Sequence, residues 1–104
     1  MVVSLAPIDG MTTSIPILEG VEQFQVFPNP FNGKTVLQFE LLDLAPRTSI
    51  IVKDLLGRSV FNQPLTQNNG YLEIGEEGQA GVYIVQIVTD NAASEPIKII
   101  KKSN

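Results

Sequence analysis

Apolar and polar residues alternate in short runs along most of this 104-residue chain. "QFQVF" (23–27) puts Phe24 and Val26 on one face, and "KTVLQFELL" (34–42) puts Leu37, Phe39 and Leu41 on one side with Gln38 and Glu40 on the other. A period of two residues is that of a strand with one face on a core and one in water. "TSIIVKD" (48–54) and "GRSVFNQP" (57–64) flank a tight connection through Leu55, Leu56 and Gly57, which predicts a hairpin. "GYLEIG" (70–75) follows "TQNNG", whose Asn-Gly pair suits a tight turn. "AGVYIVQIVTD" (80–90) is apolar at almost every position, which predicts a central strand covered on both faces. "EPIKIIKK" (95–102) alternates and ends in lysines, as a terminal edge strand does.

Between these runs the chain is punctuated by turn formers. In "VFPNPFNGKT" (26–35), Pro28 and Pro30 remove two backbone donors and fix φ, Asn29 and Asn32 offer side chains that cap turns, and Gly33 tolerates a positive φ. The stretch reads as structural punctuation between the first two strands. Seven strands at a spacing of about 8–12 residues, with no competing helical period, predict an all-β fold: an immunoglobulin-like antiparallel β-sandwich. Its expected core is Phe24, Leu37, Phe39, Ile50, Val52, Val60, Leu72, Ile74, Val82, Ile84 and Ile97. Residues 1–22 carry no sustained period and four turn formers, Pro7, Gly10, Pro16 and Gly20, so the sandwich is expected over 23–104 behind a linker or N-terminal arm.

Composition changes this picture mainly by exclusion. The length suits one domain, and 43% hydrophobic residues with 17% charged suit a folded one. There is no histidine and no cysteine. The chain therefore lacks the commonest general base, the commonest zinc ligands and every thiol nucleophile, and no enzyme activity is expected. Hydroxyl residues such as Ser49, Thr66 and Ser94 have no histidine to activate them. Glu76 and Glu77, with Asp54 or Glu73, are the best carboxylates for a calcium site or an acid–base pair. Neighbours on an extended chain point apart, no Asp-x-Asp-x-Asp-Gly loop is present, and "GEEG" reads as a solvated turn. No metal or cofactor is expected.

Charge is unevenly placed. Residues 1–95 hold four basic and eleven acidic groups, a net of −7, whereas the last nine residues add Lys98, Lys101 and Lys102. An acidic body argues against nucleic acid, and no run approaches the roughly 20 apolar residues of a membrane-spanning helix. The start, "MVVSLAPIDG", has no basic region of the kind that opens a signal peptide. The basic terminal strand is the expected recognition element, comprising Ile97, Lys98, Ile99, Ile100, Lys101 and Lys102, its edge open to a partner's strand.

The order "FQVFPNPFNGKTVLQFEL", "IIVKDLLGRSV", "QAGVYIVQI" and "PIKIIKK" resembles the type A C-terminal sorting domain of the type IX secretion system of Bacteroidota, over residues 22–104. By position, the family's motifs fall on Pro28, Asn29 and Pro30, on Asp54, Gly57 and Arg58, on Gly81 and Tyr83, and on the strand Ile97 to Lys102. The resemblance implies a non-catalytic export signal covalently attached to a larger cargo, taken through the periplasm to the outer-membrane surface or the extracellular space. It implies translocon, shuttle or sortase proteins as partners and a cut within residues 1–22. It also implies that the chain is a piece of a longer precursor. Arg58 is expected to pair with Asp54 across the hairpin. An edge strand beside a loose arm is compatible with a dimer made by strand exchange. Deleting Lys98 to Asn104 is expected to block export and leave the core folded. The alternative reading is an immunoglobulin-like structural or ligand-binding accessory module of a secreted enzyme, for which Tyr71, Phe31 and Phe61 would be the aromatic platform.

Overall fold

The computed structural model describes residues 16–76 and 78–103. Within them the chain forms seven strands: β1 (Val21–Phe27), β2 (Thr35–Leu41), β3 (Ser49–Asp54), β4 (Ser59–Pro64), β5 (Asn69–Ile74), β6 (Gly81–Val88) and β7 (Ile97–Lys101). No helix occurs among the described residues. Two sheets are built, β1-β2-β5 and β4-β3-β6-β7, and every strand pairing in them is antiparallel. Lettered A to G, the sheets read A-B-E and D-C-F-G. This is the constant-type immunoglobulin arrangement with the fourth strand moved to the other sheet.

Alternation places the core between the sheets. Leu37, Phe39, Leu41 and Ile74 from one sheet meet Ile50, Val52, Val85, Ile87 and Ile99 from the other, and all are buried. Each such side chain contributes roughly 1.5–3 kcal/mol when fully withdrawn from water. The expected core is right for Leu37, Phe39, Ile50, Val52 and Ile74, while Phe24, Leu72 and Ile97 pack half-buried against it. Three expectations are overturned. Val60 is 51% exposed, at a bulge between β4 and β3. Val82 and Ile84 lie on the opposite face of β6 from Val85 and Ile87, so the strand is central but closed by the core on one side only. A strand apolar on both faces gives no phase to its alternation, so the sequence does not distinguish Val82 and Ile84 from Val85 and Ile87 as the core-facing pair.

Two further differences are local. Asn69 and Gly70 belong to β5 rather than to a turn, and the bare Gly70 faces the ring of Phe39 across the sheet. β1 begins at Val21, and residues before it are already tied down: Leu18 N–H donates to Ala93 C=O at 2.9 Å and Ala93 N–H to Pro16 C=O at 3.1 Å. The remainder of the expected linker, residues 1–15, lies outside the described residues.

Candidate functional site

β7 is the last strand of the four-stranded sheet and has β6 as its sole strand neighbour there. Its inward side chains are Ile97, Ile99 and Lys101, and Ile99 is 1% exposed in the core. Lys98, Ile100 and Lys102 point outward and are exposed. Of the six expected recognition residues, alternation thus leaves three on the surface of the folded domain.

The outer edge of β7 is occupied. Asn29 Nδ2 donates to the carbonyl of Lys98 at 2.9 Å, and the amide of Ile100 donates to Asn29 Oδ1 at 3.0 Å. Phe31 N–H then donates to the Ile100 carbonyl at 3.0 Å, and Lys102 N–H to the Phe31 carbonyl at 2.8 Å. A carboxamide carries the same donor and acceptor as a peptide group, so one side chain and one residue of main chain complete the ladder that an eighth strand would make. "PNPFN" is therefore more than punctuation. It is a clasp on the C-terminal strand, and an edge expected to be open to a partner's strand is closed from Lys98 to Lys102.

Side chains lock the clasp from beneath. Phe31 is 2% exposed, and a Cβ built on Gly75 would lie 2.5 Å from its ring, so only glycine lets β5 end beneath it. The φ of +91° at Gly75 favours glycine for a second reason. Lys101 turns its ammonium into the loop after β5, donating to the carbonyls of Gly75, Glu76 (3.3 Å) and Gly78 (2.9 Å). Its charge serves the fold, and the carbonyls of Gly75, Glu76 and Gly78 gather around a lysine. Deleting Lys98–Asn104 would remove Ile99, Lys101 and the partners of Asn29 and Phe31, so that deletion is expected to cost core packing as well as the strand.

The other motif residues are structural anchors as well. Asp54 Oδ1 accepts from the amides of Leu56 and Arg58, both at 2.9 Å, and Oδ2 accepts from Arg58 Nε at 2.8 Å. Partial desolvation pushes the Asp54 carboxyl up, but the hydrogen bonds from Arg58 and Leu56 and the guanidinium charge outweigh it and hold the group below the usual aspartate value. Gly57, at φ +86°, closes the turn. The Tyr83 hydroxyl donates to the carbonyl of Gln79 four residues upstream, the tyrosine corner of immunoglobulin sandwiches.

The secretion-system C-terminal sorting domain profile matches residues 25–102, from inside β1 to the residue that ends the clasp. The chain belongs to this family. It is a C-terminal sorting signal of type IX secretion, a class whose fate is export to the cell surface or the extracellular space. None of the curated proteins compared with the chain matches it.

Other candidate groups in the sorting domain are not brought together. Among the described residues no three acidic side chains are placed to share a metal ion. Glu73 pairs with Lys34 at 3.2 Å, and Glu77 lies outside the described residues. Ser94 is buried, its Oγ accepting from Ile87 N–H at 2.9 Å. Of the three aromatics, Tyr71 is 69% exposed, Phe61 is half-buried on the core and Phe31 is under the clasp, so no shared platform forms. A cleft between Phe31, Val52, Phe61, Tyr83 and Ile99 holds about 180 Å³. Among the described residues no helix is long and apolar enough to cross a membrane.

Proposed function

We propose that the sorting domain acts as a folded, non-catalytic address on a larger cargo protein, read by translocon, shuttle or sortase components and then cut off. The observation that carries this reading is the clasped terminal strand: its backbone is hydrogen-bonded along both edges and it displays Lys98, Ile100 and Lys102 on one face. A preordered strand loses little conformational entropy when a partner binds it. Cleavage N-terminal to Pro16 would leave intact the bonds that tie Pro16 and Leu18 to Ala93. The cargo would then be released to the cell surface or the medium without the domain having to unfold.

The test is a fusion of residues 1–104 behind a Sec-targeted reporter, in a host that runs type IX secretion. Reporter on the surface or in the medium is the expected result, with a second, shorter product marking the cut. Reporter retained in the periplasm overturns the reading.

A further inference from the structure

Four sides of β7 compete for a partner, and three are spent. One edge pairs with β6, the other with Asn29 and Phe31, and the inward face is core. The outward face remains, and it does not stop at β7. Lys98 lies beside Ile84 of β6, which lies beside Lys53 of β3, so that two lysines flank an isoleucine across three strands. Ile100 lies beside Val82, and Ile51 sits two residues before Lys53 on the same face. Among the described residues, none of Lys53, Lys98 and Lys102 has a carboxylate within 4.0 Å.

The opposite outer face of the sandwich has another character. Its rows are Gln23 with Glu40 and Asn69, then Gln25 with Gln38 and Tyr71, then Phe27 with Val36 and Glu73. One face carries Glu40 and a Glu73 paired with Lys34, beside the exposed Tyr71 and Phe27, while the other sets Ile51, Val82, Ile84 and Ile100 beside Gln86 and Asn62, with lysines at its margin that pair with no carboxylate among the described residues. A chain of net charge −4 that gathers unpaired cations round a half-buried apolar strip has a surface complementary to carboxylates on a partly apolar protein.

We infer that the outward face of the four-stranded sheet, centred on Ile84 and Val82 and rimmed by Lys53, Lys98 and Lys102, docks a carboxylate-bearing protein surface of the secretion machinery. The inference rests on the sorting-signal reading and makes it specific: the address is a sheet face drawn from three strands, and Lys53, 45 positions before Lys98, is part of it. Contact is through side chains, since the backbone ladder is complete. Three lysines are fewer than the roughly four to eight that mark a segment binding anionic lipid, which leaves a protein as the occupant.

The test uses the reporter fusion with two charge-matched variants. K53Q/K98Q removes two positive charges from the proposed face, and Q23E/Q25E adds two negative charges to the opposite one. All four positions are exposed, and circular dichroism melts establish that both variants stay folded. Export is expected to fall about tenfold in K53Q/K98Q and to stay near wild type in Q23E/Q25E. Equal export of K53Q/K98Q and wild type, or equal loss in both variants, overturns the inference. Failure of the wild-type fusion itself would instead count against the sorting reading. A photoreactive residue at position 100 supplies a second readout in living cells. A protein adduct whose yield falls with K53Q/K98Q is expected, and adducts to lipid alone, or none, overturn the proposal.

Discussion

Asn29 and Phe31 carry opposite kinds of interaction within one turn, and the difference sets what each substitution should cost. Asn29 is exposed and contributes two hydrogen bonds to β7, each worth about 0.5–1.5 kcal/mol net. Phe31 is fully buried, and truncating such a ring to alanine costs roughly 3–5 kcal/mol. Phe31→Ala should therefore lower the melting temperature far more than Asn29→Ala. Asn29→Ala should show itself locally, as faster hydrogen exchange at the amide of Ile100 with little change at Ile99. Equal exchange at Ile100 in wild type and variant would mean that the side chain does not hold the strand. Neither role was legible in the sequence. The turn has no period from which to read that Phe31 is inside, and the partners of Asn29 lie 69 and 71 residues away. What "PNPFN" did reveal was its backbone chemistry: two prolines and two amides announce a turn without naming what the turn touches.

At the scale of elements, patterning was decisive where a strand has one wet face and silent where it does not. β2 alternates cleanly, so Leu37, Phe39 and Leu41 could be placed on one face in advance. β6 is apolar on both faces, and only the register with β3 and β7 shows that Val85 and Ile87 face the core while Ile84 lies between two lysines. The hairpin of β3 and β4 was legible because its turn is local, with Asp54 and Arg58 four residues apart. That turn has a pH signature. The Asp54 value is lower in the folded chain than the ordinary ~3.9, so the ionised carboxylate stabilises the fold fully above that value. The contribution fades as pH falls through the lowered folded value. Asp54→Asn should be less stable than wild type at pH 7, and the gap should narrow below about pH 4 as the wild-type carboxylate protonates. Urea melts across that range measure it. A gap that does not change with pH would show that the charge of Asp54 is immaterial to the turn.

The whole molecule is arranged so that its last residues close it. β7 supplies Ile99 to the core, receives the clasp from the β1–β2 turn, and sends Lys101 into the loop between β5 and β6, so three distant parts of the chain depend on it. Family membership was legible from four short motifs in order, because each has a local sequence signature even where, as for Asn29 and Lys101, what it anchors lies far along the chain. The surface they assemble was not, since it is made by register between β3, β6 and β7. A chain truncated after Ile97 loses a buried isoleucine outright and leaves Phe31 without the strand that its main chain holds. It also exposes the edge of β6, a central apolar strand, as a template for aggregation. With domains of this size marginal at about 5–15 kcal/mol, removal of a core strand should abolish cooperative unfolding, and circular dichroism on the truncated chain would show a sloping melt in place of a transition. A truncated chain that still melts sharply would show that the terminal strand is an appendage and that its export role can be dissected by deletion. Deletion is expected to remove the fold and the proposed address together. Substitutions on the outward face of the terminal strand, at Lys98, Ile100 and Lys102, leave the core and the clasp in place and are therefore the ones expected to test the proposed recognition apart from folding.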